Sequence, residues 1–210
     1  MNKLGDLSCN KFLTELASAA PAPGGGGGAA MAGALAAALA SMVANLTIGK
    51  EKFADREPEV KELLEQAEAE RVRLLALVDE DAAVFNSFMS CYKLPKATDE
   101  EKAARTAAIR TAAKQAATVP LNIARSSFAV LKLADKLVVA GNPGVITDGA
   151  CSGLLARAAL RCAEYNVRIN LGLTKDEAWN AQAAAELVQL LTDAEALETR
   201  LLAVTDKALQ

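Results

Sequence analysis

The sequence contains no histidine, and this absence excludes more chemistry than any other feature of its composition. Without imidazole there is no Ser-His or Cys-His catalytic pair, no His-ligated zinc or iron site, and no di-iron bundle of the Glu-x-x-His type. We therefore expect no bound metal. Any catalysis must use carboxylates, lysine, tyrosine, cysteine, side-chain amides or backbone dipoles.

Aromatic residues and excess charge are also scarce. Only 4% of the 210 residues are aromatic, the net charge is −3, and no cluster of Lys and Arg is interleaved with aromatic residues. These features argue against nucleic acid or an anionic membrane surface, so small molecules or other protein chains are the expected partners. The four cysteines form no C-x-x-C pair and residues 1–6 lack an apolar signal region, which predicts a reduced, cytoplasmic protein.

Residues 16–49 contain no charged side chain, and residues 29–48 approach the roughly 20 residues that cross a bilayer. Most of these residues are alanine, which makes the segment weakly hydrophobic for a membrane span. The better interpretation is a helix buried on all sides in a bundle, where small side chains let neighbouring backbones approach closely. Such close approach also suits a dimer interface, so we expect no membrane insertion.

Alanine, the best helix former, dominates the sequence, and alternating β-branched or aromatic residues are almost absent. Glycine and proline divide the chain into helices, and capping boxes at Thr98 and Thr174 mark two of the helix starts. The expected helices span about 8–20, 28–48, 57–90, 98–118, 120–141, 147–168, and 174 to near the C-terminus. The sequence thus predicts one all-α domain over residues 1–210, an up-and-down bundle of about seven helices.

Five consecutive glycines, residues 24–28, precede the long apolar helix. A glycine-rich turn that leads into a helix exposes backbone N–H groups at the positive end of the helix dipole, which favours an anion or the polar edge of a ligand. The segment is neither a phosphate-binding P-loop nor a dinucleotide fingerprint, because no Gly-Lys-Ser/Thr follows it and no strand precedes it. A flexible connector between two helices is the alternative.

Asp81 lies in the apolar stripe of a predicted helix, since its neighbours three and four residues away are Leu77, Val78, Val84 and Phe85. Burial of an unpaired charge costs several kcal/mol. Asp81 therefore either pairs with a cation from another helix or serves a functional site.

Five further positions carry polar groups beside predicted helix ends or turns. Asp148 is either a helix cap or a carboxylate that faces a cationic substrate. Asn166 and Asn170, one turn apart, either present amides to a heterocycle or cap a helix. Lys50 follows the uncharged helix, where its amine is either solvated or bends over the glycines as an acid or base. Asn142, in the Gly-Asn-Pro-Gly loop, is a further candidate for substrate binding.

Five short motifs occur in the chain in a characteristic order. They are FLxxL at 12–16, PGGG at 23–26, LTIGKxKF at 46–53, TDxA at 147–150 and NVxxN at 166–170. Their combination resembles the cyclodeaminase/cyclohydrolase family, which includes the cyclodeaminase half of formiminotransferase-cyclodeaminase and stand-alone methenyltetrahydrofolate cyclohydrolases. The resemblance covers essentially the whole chain.

The resemblance implies an all-helical, homodimeric enzyme that acts on a tetrahydrofolate one-carbon adduct. By motif, Gly24, Gly25 and Gly26 would form the ligand-facing loop, Lys50 would be the lysine of the Gly-Lys turn, and Asp148 would be the acid of the Ser-Asp type pair. The sequence departs from the family at three positions, where it has Gly27 and Thr147 in place of serines and Glu51 within a usually more basic turn.

The implied chemistry suits a chain without histidine. 5,10-Methenyltetrahydrofolate carries a delocalised amidinium cation, so its hydrolysis needs a positioned water, a base and an acid, with no cofactor beyond the folate itself. Cyclodeamination of a formimino adduct, with release of ammonia, is the alternative reaction. We expect no upstream formiminotransferase domain to deliver a formimino adduct, and this expectation favours the cyclohydrolase. A non-catalytic folate-binding scaffold is a further alternative.

Overall fold

The computed structural model describes residues 3–210, and within this range helices are the only regular elements. The six α-helices are α1 (Cys9–Leu16), α2 (Gly25–Asn45), α3 (Glu57–Cys91), α4 (Asp99–Ala140), α5 (Ile146–Thr174) and α6 (Glu177–Ala208). Single 3-10 turns lie at Leu4–Asp6, Glu51–Phe53 and Pro143–Val145. The all-α prediction is confirmed, whereas the expected count of about seven helices is too high by one.

The miscount comes from Pro120, which we expected to separate two helices. Instead α4 continues through it for 42 residues. Proline has no backbone N–H, so the carbonyl of Ala116 loses its usual partner four residues on. The Nδ2 group of Asn170 on α5 donates to that carbonyl at 2.9 Å. A side chain from a neighbouring helix thus supplies the bond that proline removes.

The two predicted capping boxes have different outcomes. At α4 the Thr98 side chain accepts from the Glu101 N–H and Glu101 bonds back to the N-cap, as predicted. The box at Thr174 is wrong, because α5 extends to that residue and Lys175 then adopts a left-handed conformation with φ of 56°. Asp176 caps α6 by accepting from the Trp179 N–H at 3.1 Å.

Helix α2 packs between α3 and α5, with α4 behind it. Its small side chains permit close contacts: the Ser152 hydroxyl of α5 donates to the Ala36 carbonyl at 2.7 Å, and a Cβ at Gly33 would lie 3.0 Å from Leu74 of α3. Helix α2 is long and apolar enough to cross a bilayer, but most of it is buried inside the bundle. These contacts match the interpretation of α2 as a core helix.

Candidate active site

A cavity of about 310 Å³ lies where the N-terminal end of α2 meets α3, α4 and the second half of α5. Six of the residues predicted from the sequence line it together: Gly24, Gly25, Gly26, Asp81, Asn166 and Asn170. These residues are up to 146 positions apart in the chain, from Gly24 to Asn170. The fold therefore assembles the larger part of the predicted site in one place.

The glycines form the first turn of α2 rather than a loop before it. Gly24 is the N-cap, and the N–H of Gly28 already donates to the Gly24 carbonyl at 2.9 Å. We expected the helix to begin near Gly28, because glycine is a poor helix former. Its use here is steric, since a Cβ at the buried Gly26 would overlap the carboxylate of Asp81. The glycines thus let a carboxylate from α3 lie directly against the helix N-terminus.

Asp81 is partly buried in the cavity wall. Desolvation raises the pKa of its carboxyl group, and the Gly27 N–H opposes this by donating to the carboxylate. Of the described residues that line the cavity, Asp81 alone is ionisable. A carboxyl group with a raised pKa in a cleft is suited to proton transfer.

The two asparagines occupy successive turns of α5. The Nδ2 group of Asn166 donates to the Cys162 carbonyl at 2.9 Å, and the Nδ2 group of Asn170 donates to the carbonyls of Ala116 and Asn166 at 2.9 and 2.8 Å. Both amides therefore direct N–H groups to the protein backbone. Their Oδ1 atoms remain as acceptors for a ligand that carries N–H donors.

The apolar walls of the cavity were not identified as part of a site from the sequence. Phe85 and Phe88 follow Asp81 by four and seven residues on α3, and Ile169 and Leu173 lie beside the asparagines on α5. Phe88 also packs edge-to-face on the ring of Tyr92, with centroids 5.3 Å apart. The helical spacing from Asp81 was the available signal, but aromatic residues at such spacing usually mark a core.

Lys50, Asn142 and Asp148 lie at the opposite end of α2. All 21 residues of α2 separate the Gly24 cap from the turn that holds Lys50, a distance of about 30 Å. Of the two alternatives for Lys50, the one in which its amine bends over the glycines of its own chain is therefore wrong. Lys50 is exposed, and the partly buried Asp148 lies in the first turn of α5.

Asn142 holds this second end of the molecule together. Its backbone N–H donates to Thr47 Oγ1 at 2.8 Å, its Nδ2 group donates to the Leu46 carbonyl, and its Oδ1 accepts from the Gly144 N–H. These bonds tie the loop before α5 to the C-terminal end of α2. The structure gives Asn142 a clear role in the loop and does not place it in the cavity.

No group of three or more Cys, Asp or Glu side chains that could hold a metal ion occurs among residues 3–210. The four cysteines are all free thiols.

The sequence profile of formiminotransferase-cyclodeaminase matches residues 8–189. The chain belongs to the formiminotransferase-cyclodeaminase family. This finding confirms the resemblance carried by the five motifs, and the matched region contains every residue of the cavity.

Several family members are similar over most of this chain. A methenyltetrahydrofolate cyclohydrolase from Methylorubrum extorquens is 45% identical over 197 residues, which cover 94% of this chain and 95% of that protein. The formimidoyltransferase-cyclodeaminase of Sus scrofa is 34% identical over 183 residues, which cover 87% of this chain but only 34% of that longer protein.

The likeness extends to the solved structure of a formiminotetrahydrofolate cyclodeaminase from Thermotoga maritima. The TM-score is 0.88 at 30% sequence identity, and the match covers 98% of both chains. The helical arrangement around the cavity is therefore shared with a family member of nearly the same length.

Proposed function

We propose that this family member hydrolyses 5,10-methenyltetrahydrofolate to 10-formyltetrahydrofolate. The observation that carries the proposal is the 45% identity to a methenyltetrahydrofolate cyclohydrolase over nearly the full length of both proteins. The identity to the porcine formimidoyltransferase-cyclodeaminase is lower, at 34%. The absence of histidine from the chain is compatible with a substrate that brings its own electrophilic carbon.

The reaction consumes one water molecule. Its oxygen adds to the bridging carbon of the amidinium cation while a base removes a proton from it. The bond from this carbon to the pterin-side nitrogen N5 then breaks and N5 takes up a proton. The added hydroxyl group loses its own proton to become the formyl oxygen on N10, so one proton is released overall. The enzyme therefore has to hold the cation, orient the water, remove protons from the attacking oxygen and supply one to N5.

We assign Asp81 as the base that removes a proton from the attacking water. A bound amidinium cation beside the carboxylate favours its ionised form. The positive charge disappears when water adds to the carbon, so the pKa of Asp81 rises just as a proton becomes available. The same group that holds the cation is thereby suited to act as the base.

The remaining cavity residues fit the fused ring end of the folate. Phe85 and Phe88 provide flat apolar surfaces, and the cavity volume of about 310 Å³ is at the small end of ligand sites. The Oδ1 atoms of Asn166 and Asn170 are acceptors for the N–H donors of a reduced pterin ring. No cofactor enters this scheme, and a cytoplasmic location stays a prediction.

Formiminotetrahydrofolate cyclodeaminase is the second candidate function, because the Thermotoga protein of that name shares the fold over 98% of both chains. The test is to follow loss of methenyl absorbance and, in parallel, release of ammonia from 5-formiminotetrahydrofolate. We expect methenyl hydrolysis well above the buffer rate. Ammonia release without methenyl hydrolysis would establish the deaminase instead, and turnover in neither assay, with folate still raising the melting temperature, would indicate a binding scaffold.

We further propose that the protein is a homodimer. Helix α2 presents an uncharged outer stripe in which Leu35, Met42 and Leu46 are 52%, 43% and 37% exposed. On the adjacent helix α5, the exposed residues Leu154 and Ala158 extend this apolar surface. A continuous uncharged surface on two neighbouring helices favours contact with a second copy of the same surface.

An antiparallel pair of α2 helices would also join the two halves of the predicted site. Gly24 and Lys50 are equally distant in sequence from Ala37, which is buried but lies at the level of Leu35 and Ala38 in the exposed stripe. If two copies cross there at the shallow angle usual for antiparallel helices, Lys50 of one copy lies beside the glycine turn of the other. Lys50 and Asp148 would then supply proton transfer and negative charge to a cavity in which Asp81 is the one ionisable group among the described lining residues.

Mixing two inactive variants tests this arrangement. Asp81→Asn and Lys50→Ala should each lower turnover at least about tenfold, within the range of acid-base groups. After dissociation and random reassembly, half of the dimers contain one copy of each variant. One of the two sites in such a mixed dimer has both Asp81 and Lys50, so about a quarter of the wild-type rate should return. A mixture no more active than its components would show that each site lies within one chain, and full activity of Lys50→Ala alone would remove Lys50 from the site.

A further inference from the structure

Pro120 and Asn170 are joined through a single backbone carbonyl. Proline has no N–H to donate, and its ring pushes away the carbonyl four residues earlier, which here belongs to Ala116. Ala116 lines the cavity, and its carbonyl accepts a hydrogen bond from the Nδ2 group of Asn170 at 2.9 Å. A straight helix would direct the same carbonyl along the axis of α4, to the backbone N–H of residue 120.

The second N–H of the same amide is also engaged. It donates to the Asn166 carbonyl, one turn earlier on α5, at 2.8 Å. With both N–H groups held by backbone carbonyls from two different helices, the carboxamide of Asn170 is fixed in one orientation. The Oδ1 atom is then the acceptor that Asn170 offers, and Asn170 lies in the cavity wall.

We propose that Pro120 is a positioning residue for substrate binding: by freeing the Ala116 carbonyl, it orients the Asn170 amide so that Oδ1 accepts from an N–H donor of the ligand. The proposal rests on the proposed folate function for the identity of that donor, an N–H group on the edge of the reduced pterin ring. Pro120 itself is buried in α4 and acts only through Asn170.

The kinetic test is the variant Pro120→Ala. It restores the N–H of residue 120, draws the Ala116 carbonyl back into the helix and releases the Asn170 amide. We expect KM for methenyltetrahydrofolate to rise about tenfold, the effect of one misplaced hydrogen bond, with little change in kcat. Because alanine is the better helix former, the melting temperature should not fall. A protein that is as stable as wild type but binds less well is an outcome that a merely structural proline does not produce.

Two further variants supply the controls. Pro58→Ala replaces a proline in the first turn of α3, where no helical carbonyl is freed, and should leave KM unchanged. The double variant Pro120→Ala with Asn170→Ala should have the same KM as Asn170→Ala alone, because Pro120 acts through Asn170. A wild-type KM in Pro120→Ala would overturn the proposal, as would independent, multiplying effects in the double variant.

A stability measurement tests the coupling without any enzymatic assay. Asn170→Ala leaves the Ala116 carbonyl without its donor in the presence of Pro120, but not when residue 120 is alanine. In urea unfolding, Asn170→Ala should therefore lower the free energy of unfolding less in the Pro120→Ala background than in wild type. Equal losses would refute the link between the two residues. If this coupling is found but no folate is turned over, the proposed function fails while the link between Pro120 and Asn170 stands.

Discussion

Asp81 combines two requirements that conflict in most proteins, because it must be desolvated and still be able to ionise. Its carboxylate lies among apolar side chains of α3, yet the N-terminus of α2 supplies an N–H donor from Gly27. Burial is the larger of the two effects and raises the pKa of the group. A carboxyl group kept partly buried at a cost in stability is typical of active sites, which supports the role that we propose for Asp81.

The raised pKa of Asp81 predicts a pH-dependent gain in stability for Asp81→Asn. The folded-state pKa exceeds the unfolded value of about 3.9, so folding disfavours the ionised form, and wild type loses stability as the pH rises through the folded-state pKa. Asparagine cannot ionise and still accepts from the Gly27 N–H. In urea unfolding, the advantage of the variant over wild type should be larger at pH 8 than at pH 4. If the variant's advantage in stability is equal at both pH values, or absent, burial is not the dominant influence on the pKa of Asp81.

Gly26 is the glycine of the run whose substitution should be most damaging. A Cβ there would overlap the Asp81 carboxylate, so Gly26→Ala should displace Asp81 and lower turnover at least about tenfold. Gly172→Ala on α5 is the control, because nothing lies within 4 Å of its added Cβ. The control should keep its activity and gain about 0.5–1 kcal/mol of unfolding free energy, as alanine does in helix interiors. Turnover in Gly26→Ala equal to that of the control would show that the close contact is dispensable.

At the scale of helices, two ion pairs connect α4 to α6 in different surroundings. Asp135 is only 3% exposed, and both oxygens of its carboxylate accept hydrogen bonds from the guanidinium group of Arg200. Arg125 and Glu186 form a similar two-bond pair at the surface, with distances of 2.6 Å. Both pairs join the Nε and Nη2 donors of an arginine to the two oxygens of a carboxylate, and the carboxylate is much more buried in the Asp135 pair.

Arg200→Ala should destabilise the protein by about 2 kcal/mol, because it leaves the buried Asp135 carboxylate without its cation. Arg125→Ala should cost less than about 1 kcal/mol, since its partner Glu186 is partly exposed and can bind water when Arg125 is removed. Chemical denaturation of both variants at neutral pH and moderate salt gives the comparison. Equal losses would mean that Asp135 finds another partner or water when Arg200 is removed.

Helix ends that depend on local chemistry could be predicted from the sequence, whereas those that depend on other helices could not. The Thr98 cap needs only its own Glu101, and the sequence analysis located it correctly. The continuation of α4 through Pro120 depends on Asn170, 50 residues later, and no local pattern contains that information. The helical glycines likewise depend on a carboxylate from α3, so their steric role could not be predicted from their own neighbourhood.

The same distinction holds for the site. Asp81 could be singled out because a carboxylate among apolar neighbours on a helix demands an explanation. Phe85 and Phe88 have the same spacing as ordinary core residues, so their place in the cavity wall needed the structure. The sequence left open whether Lys50 is solvated or bends over the glycines, and the 21 residues of α2 keep the two segments apart within one chain.

At the scale of the whole molecule, the cavity end and the Lys50 end are separated by an apolar surface with no partner among the described residues. Within one chain this surface has no evident use, and it exposes Leu35 at 52%. Pairing of two copies would bury it and bring opposite ends together at two equivalent sites. The distance between the glycine turn and Lys50 excludes their contact within one chain, and it is therefore the main argument for the proposed dimer.

Leu35→Glu should dissociate this dimer, because the substitution places two carboxylates near the symmetry axis in a newly buried surface. The chain should still fold, since Leu35 is half exposed in the single chain. Light scattering after size exclusion should give twice the chain mass for wild type and the chain mass for the variant. Turnover of the variant should also fall, because each cavity loses Lys50 of the other copy. Val188→Glu on the outer face of α6 is the matched control; its residue is 63% exposed and should change neither mass nor turnover. An active monomer of Leu35→Glu would separate catalysis from dimerisation, and a dimer that persists in this variant would place the interface on another surface.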